Sequence, residues 1–283
     1  TANLIVTNMH ARGPGILAPF GVRGVFEFSS EANGWVLGAN QLRFSTVNGD
    51  WPESELQLRV INNEDGSIDG LRTSASYFDL NDLRYVTAWL PKERRDFFAQ
   101  YNPIGVLRDV NVELANLQSA DPEFDVSADL RSAGVTAVDS RPGIEGFSGR
   151  VRADRDGGRV EIESTDLAIS ISEHLADPLL LDDVFGTVIW RRNRDGMIVL
   201  SDSVRVRNAE FDSQLSLQLG LPDGDAAPVI DFESSWSVYD VSAMHRYLPL
   251  KIITPQLRKW LSDALVSGHV TRGTTRFNGA LDQ

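Results

Sequence analysis

The chain has 283 residues, 42% of them apolar and 24% charged, which is enough to build a sizeable core and excludes a disordered segment. Its 40 acidic against 27 basic residues leave a net charge of −13, which would repel a phosphate backbone; no basic block interleaved with aromatics offsets this, so nucleic acid is not an expected partner. Zero cysteines remove disulfides, thiolate metal sites and a cysteine nucleophile, while leaving the cellular compartment open.

No apolar run approaches the roughly 20 residues that cross a bilayer, and no leader peptide is visible. The sequence opens at Thr1 inside what reads as a strand, as expected of a piece cut from a longer protein. Gly13-Pro14-Gly15-Ile16-Leu17-Ala18 formally matches a dinucleotide fingerprint. Pro14 stiffens that loop and no βαβ pattern surrounds it, so it reads as an ordinary turn.

The first hairpin, "GVFEFSSEANGWVLGANQLRFST" from Gly24 to Thr46, has a second copy in "GTVIWRRNRDGMIVLSDSVRVRN" from Gly186 to Asn208. In both, ten positions separate the leading glycine (Gly24, Gly186) from the turn glycine (Gly34, Gly196). An apolar-Arg-apolar triplet then follows: Leu42, Arg43, Phe44 in one and Val204, Arg205, Val206 in the other. A third hairpin, Gly149 to Ser170, repeats the plan with a tighter turn. Connectors recur as well: Pro91 falls twelve residues past Asp79, Pro178 twelve past Asp166, and Pro249 nine past Asp240. Units repeated on this scale are expected to stack by edge pairing.

Alternation runs through the rest of the chain. Leu56, Leu58 and Val60 alternate with Gln57 and Arg59, Val110, Val112 and Leu114 with Asn111 and Glu113, and Leu215, Leu217 and Leu219 with Ser216 and Gln218. Period two wets one face of a strand and keeps water from the other. Asn33-Gly34, Asn48-Gly49, Asp65-Gly66, Asp69-Gly70, Asp156-Gly157, Asp195-Gly196 and Asp223-Gly224 are spelled as tight turns.

Two segments have helical spacing. In the first, Leu83, Val86 and Leu90 and then Arg94, Phe97 and Tyr101 fall three or four apart, with Asp79 or Asn81 as cap and a break at Pro91. In the second, Thr254 is the expected N-cap and Pro255 the first helical residue. Leu257, Trp260, Leu261, Ala264 and Leu265 form its apolar stripe, and Gly268 ends it. Both are expected to cover an apolar surface.

Little of this carries reaction chemistry. His10, His174, His245 and His269 are widely spaced and have no metal-ligand pattern, so no metal is expected. "GFSG" (Gly146 to Gly149) lacks the spacing of a nucleophile elbow, and "DRDGG" lacks the later ligands of a calcium loop. Asp154, Asp156, Asp195, Asp223 and Asp225 suit hairpin loops, where a short carboxylate bonds its own backbone. Trp35, Trp190 and Trp236 stand on strands among Val, Ile and Leu. Alternation alone allows either a closed sandwich core or an open trough with an apolar lining.

"YLPLKIITPQLRKWLSDALVSGHVTRGTTRFNGAL" (Tyr247 to Leu281) resembles a segment of the YhdP-type, AsmA-like family. "GWVLGANQLRFSTVNGDWPESELQLRV", "NPIGVLRDVNVEL", "FSGRVRADRDGGRVEIES" and "DVFGTVIWRRNRDGMIVLSD" resemble the same family in the same order. The resemblance implies a mainly β fold: an elongated, curved antiparallel sheet of repeated hairpins forming an open apolar groove, with two or three short helices. It implies one repeating segment over 1–283, with approximate units 21–117, 146–184 and 185–283. It further implies the periplasm of a diderm bacterium, an inner-membrane anchor elsewhere in the protein, and a bridge that moves phospholipid toward the outer membrane. The expected partners are phospholipid acyl chains and, through the rest of the protein, inner- and outer-membrane components. No cofactor and no catalytic residue is implied.

Alternation then nominates the groove-facing residues: Trp35, Leu37, Leu42, Phe44, Leu56, Leu58, Val60, Val160, Ile162, Val188, Trp190, Ile198, Leu200, Val204, Val206, Leu215 and Leu217. Arg43, Arg59, Arg150, Arg152 and Arg205 are expected on the opposite, wetted side. A β-rich structural or adhesion module with a closed core, and a carbohydrate-active β-protein with paired carboxylates, are the rival expectations.

Overall fold

The computed structural model of the chain describes residues 2–11, 20–82, 85, 92–139, 141–171, 175, 177–224, 226–247 and 254–281. Gly13 to Ala18, the Leu83, Val86, Leu90 and Pro91 part of the first helical segment, His174, Asp225 and Pro249 lie outside the described residues. Two compact units divide the chain, the first comprising 1–131 with 150–155 and the second 132–149 with 156–283.

Antiparallel strands dominate both units, as alternation requires. The first unit holds β1 (Ala2–Ala11), β2 (Phe20–Glu31), β3 (Gly34–Thr46), β4 (Gly49–Asp50), β5 (Ser54–Asn62), β6 (Ile68–Asp79) and β7 (Ile104–Ala115). Strands β8 (Glu123–Val135) and β9 (Gly143–Asp154) contribute to both units. The second continues with β10 (Gly157–Ser170), β11 (Leu179–Asn193), β12 (Gly196–Arg207), β13 (Phe211–Pro222), β14 (Val229–Val238) and β15 (Val270–Ala280). Sheet order follows chain order in each unit, with only the two-residue β4 off the path, paired to β3. Each unit is therefore a meander of hairpins, and among the described residues no second sheet packs face to face on either.

The repeated hairpin has a structural meaning. Opposite Gly24 the returning strand β3 carries a bulge: Arg23 pairs with Arg43, but Val25 pairs with Asn40. Opposite Gly186 the returning strand β12 does the same, between Ser201 and Val204. A Cβ on Gly24 would lie 3.2 Å from the Asn40 carbonyl oxygen, and one on Gly186 would lie 2.6 Å from that of Ser203. The leading glycine is thus the seat of the bulge, and the apolar-Arg-apolar triplet is where alternation resumes after it. Gly149 repeats the contact against the Glu161 carbonyl at 2.2 Å.

A buried serine clasps each of these places. Ser54 Oγ donates to the Leu42 carbonyl (3.0 Å), Ser164 Oγ to that of Ser148 (2.9 Å) and Ser201 Oγ to that of Thr187 (2.7 Å). All three serines are buried, and at Leu42 and Thr187 the hydroxyl satisfies a carbonyl beside a break in the ladder register.

Turns form at most of the expected dipeptides, and Gly34, Gly49, Gly66, Gly196 and Gly224 have the positive φ that such turns demand. Asp69-Gly70 is the exception, since both residues lie inside β6. Gly70 instead permits close approach, a Cβ there being 3.0 Å from the Leu114 carbonyl.

Helix is scarce. A 3-10 turn (Leu80–Asp82) follows β6, with Asp79 accepting from the Asn81 backbone N–H at 2.9 Å, and α1 spans Lys92–Tyr101. A second 3-10 segment (Val241–Tyr247) precedes α2 (Pro255–Ala264), whose Thr254 cap accepts from the Leu257 N–H at 3.3 Å with Pro255 in the first turn. The helix ends at Ala264, short of Gly268. It does not seal its stripe either: Leu257 is 43% exposed and Trp260 63%.

Candidate functional site: the apolar sheet faces

Residues paired across antiparallel strands point to the same side, so register assigns every side chain to a face. In the first unit one rung runs Ser30, Trp35, Val60, Leu71, Leu114; the next runs Phe28, Leu37, Leu58, Thr73, Val112; and a third runs Phe26, Ala39, Leu56, Ala75, Val110. The β3 bulge then carries Leu42 and Phe44 onto this same face, Leu42 opposite Ser54 and Phe44 opposite Val22. All seven residues nominated on β3 and β5 (Trp35, Leu37, Leu42, Phe44, Leu56, Leu58, Val60) therefore share one side.

The other side is polar. Arg59 pairs with Glu31 at 3.1 Å and Arg72 with Glu113 at 2.6 Å, while Arg43 reaches Glu53 at 3.2 Å. These pairs are exposed and screened, so they contribute little stability and chiefly keep that face wet.

In the second unit the apolar rungs are Val160 with Val188; Ile162, Gly186, Val204, Leu215; and Ser164, Val184, Val206. Beyond the β12 bulge the face continues through Trp190, Val199, Leu219, Ile230 and through Ser201, Leu217, Phe232, Phe277. Val160, Ile162, Val188, Trp190, Val204, Val206, Leu215 and Leu217 thus lie together. Ile198 and Leu200 do not. Ile198 pairs with Arg191 and Gly220, and Leu200 with Ile189 and Gln218, on the side that carries Arg205 and Gln214.

The cause of that correction is the extra residue of the bulge. Strict alternation puts 198, 200, 204 and 206 on one side, but the bulge reverses parity between Ser201 and Val204. The residues that take their places are Met197 and Val199. The repeat itself carried this signal, because Gly196-Met197-Ile198-Val199 aligns with Gly34-Trp35-Val36-Leu37. Leu219, which alternates with Leu215 and Leu217, stands on this face as well, with Ile230, Phe232 and Phe277 beside it.

Burial grades along the strands. In the first unit, at the strand ends away from the Asn33-Gly34 turn, Phe20, Phe44, Trp51, Tyr77, Phe78 and Tyr85 form a ring cluster, with centroids 5.0 Å apart for Phe20–Phe44 and Phe44–Trp51. Buried Asp82 secures it, accepting from Trp51 Nε1 at 2.7 Å and Asn48 Nδ2 at 2.8 Å. In the second unit the corresponding end holds the buried cluster Leu167, Leu181, Val184 and Val204. There Asn208 Nδ2 donates to the Tyr247 hydroxyl, which donates to Glu210. Burial raises the Tyr247 pKa above its ordinary value.

Away from these ends the faces stay open. Of the nominated residues only Val60 and Val204 are buried; the others are partly buried and keep some exposed surface. Among the described residues no large apolar side chain is fully enclosed, and the most enclosed side chain is that of Ser164. A two-layer sandwich of this length would bury many Leu, Ile and Phe completely.

On the polar face of the second unit Arg205 binds Asp212 at 2.5 Å, Arg207 pairs with Asp183, and Arg276 binds Glu233 at 3.0 Å. The hydrogen bond from Arg205 holds the Asp212 carboxyl below the usual range; Arg150 does the same to Asp129 in the first unit. Arg43, Arg59 and Arg205 thus occupy the wetted side, and Arg150 and Arg152 are exposed. Among the described residues no three His, Asp or Glu side chains stand together as a metal site, and no helix is long and apolar enough to cross a membrane.

These features define a class: a meander β-protein whose units each have a polar face, salt-bridged by arginine, and an apolar face that the described residues leave only partly buried. The chain belongs to the YhdP family, whose model, described as YhdP protein, matches residues 22–283. No curated protein and no solved structure matches it. The family is an AsmA-like transport family of the cell envelope, and membership suggests lipid transport.

Proposed function

We propose that the chain is a lipid-conducting segment of a periplasmic bridge that moves phospholipids between the inner and outer membranes, without covalent chemistry. The observation that carries this reading is the partly exposed apolar ladder, built rung on rung by register rather than by scattered residues. Hydrocarbon tails laid on it leave water at about 25 cal/mol per Å² of apolar surface, or about 0.8 kcal/mol for each CH₂ buried. That attraction is non-directional and similar from rung to rung, so a chain is held out of water without being fixed in place. The closed structural module is disfavoured by the same exposure.

Mass spectrometry of lipids that co-purify with the chain, combined with photo-crosslinking from position Trp190, tests the proposal. Phospholipid adducts at Trp190, and none from Arg205 on the opposite face, are the expected result. A lipid-free protein with no adduct at either position rejects it. Glycan turnover would point to the carbohydrate-active alternative instead.

A further inference from the structure

Two tryptophans on the apolar face of the second unit lie across glycines of the neighbouring strand. Trp190 of β11 pairs with Gly158 of β10, and Trp236 of β14 with Gly273 of β15. A Cβ built on Gly158 would stand 2.2 Å from Trp190 Cζ2 and 2.6 Å from Cε2 and Cη2. One on Gly273 would stand 2.4 Å from both Cζ2 and Cη2 of Trp236. Each indole thus occupies the volume that any other side chain would need. Trp236 Nε1 also donates to Thr275 Oγ1 at 3.0 Å, which aims the ring along β15 rather than away from the sheet.

Backbone geometry does not explain these glycines. Gly158 and Gly273 are absent from the left-handed region that Gly34, Gly196 and Gly224 occupy. A residue with a Cβ is not barred from them by a left-handed φ, and the three nearest atoms such a Cβ would meet all belong to the ring. Other glycines on the sheets show the contrast: a Cβ on Gly38 meets nothing within 4 Å, and one on Gly220 meets only the Val229 carbonyl oxygen, at 3.7 Å.

We propose that Gly158 and Gly273 are positioning residues that keep Trp190 and Trp236 flat, so that the widest side chains on this face form a low floor over which an acyl chain passes. A ring lying flat adds about one contact layer, ~3.5–4 Å, above the strand, whereas a displaced indole projects into the space above the rungs. Glycine at these places therefore sets clearance. This rests on the apolar face being a lipid path, and it adds which residues keep that path passable.

The test uses the whole chain and a phosphatidylethanolamine with a photoreactive acyl chain, scored as crosslinking yield against probe concentration. Gly158→Val should weaken capture roughly tenfold, the equivalent of losing several tens of Å² of acyl contact. The double variant Gly158→Val with Trp190→Ala should return to the level of Trp190→Ala alone, because nothing remains to be displaced. Gly273→Val with and without Trp236→Ala gives an independent second comparison. If Gly158→Val does not fold, Gly158→Ala carries the same comparison.

Full capture by the glycine variants, or a loss that removing the tryptophan does not repair, overturns the floor while leaving the lipid path standing. No capture by the unmodified chain overturns the lipid path, and the floor with it.

Discussion

Placing one aspartate on each side of the β12 bulge separates register from simple alternation. Val204 is 7% exposed and packs with Leu167, Leu181 and Val184. Val204→Asp loses about 2 kcal/mol of side-chain burial and leaves a carboxylate without a partner among hydrocarbon, which costs about 2 kcal/mol or more in addition. Ile198 is only partly buried and has Arg191 as its cross-strand neighbour. Ile198→Asp gives up about half its burial, near 1 kcal/mol, and recovers up to about 0.5 kcal/mol from the arginine. The two variants should therefore differ by about 3 kcal/mol, a large share of the roughly 5–15 kcal/mol that holds a domain together. Urea unfolding followed by circular dichroism measures this as a much lower midpoint for Val204→Asp at similar slope. Equal midpoints, or a greater loss at Ile198, would mean that alternation runs unbroken through β12 and that the parity reversal described here is wrong.

Asp82→Ala strands the Trp51 indole N–H and the Asn48 amide, so it should cost about 3 kcal/mol and change Trp51 emission, with Asp82→Asn costing less because one acceptor remains. Ser201→Ala removes the hydroxyl that satisfies the Thr187 carbonyl and should cost about 1–2 kcal/mol in the same unfolding assay. Asp129 and Asp212 are held below the ordinary value of 3.8, so their contribution to stability is complete above that value and is lost as pH falls through the depressed folded range. Asp212→Asn should flatten part of the decline in urea midpoint between about pH 5 and pH 2, and an unchanged slope there counts against the Arg205 pairing.

Much of the fold was legible because it rests on two local signals. Alternation at Leu56, Leu58 and Val60 and turn spelling at Asn33-Gly34 depend on neighbours in sequence, and both are realised. The limits appear where tertiary geometry overrides local preference. Asp69-Gly70 has the chemistry of a turn, yet the close approach of Leu114 makes its glycine a strand residue. Ile198 and Leu200 sit beyond a bulge that period-two counting cannot detect, although the parallel with the Gly34 hairpin marks it. Gly158 and Gly273 carry no local signal, because the group that crowds each of them is a ring on the next strand. Asp82 gave no signal, since its value depends on Trp51 and Asn48, more than thirty residues away.

The sheet order has a consequence for how such a protein can change. Each hairpin is paired along its edges with the one before it and the one after it, and the more distant contacts of Tyr85 and Tyr247 cover only the strand ends. Adding or deleting a whole hairpin would leave the remaining partnerships intact, provided that a leading glycine and its clasping serine travel with it. Strand number is then an adjustable quantity, and whole hairpins can be copied or lost without redesigning an interior.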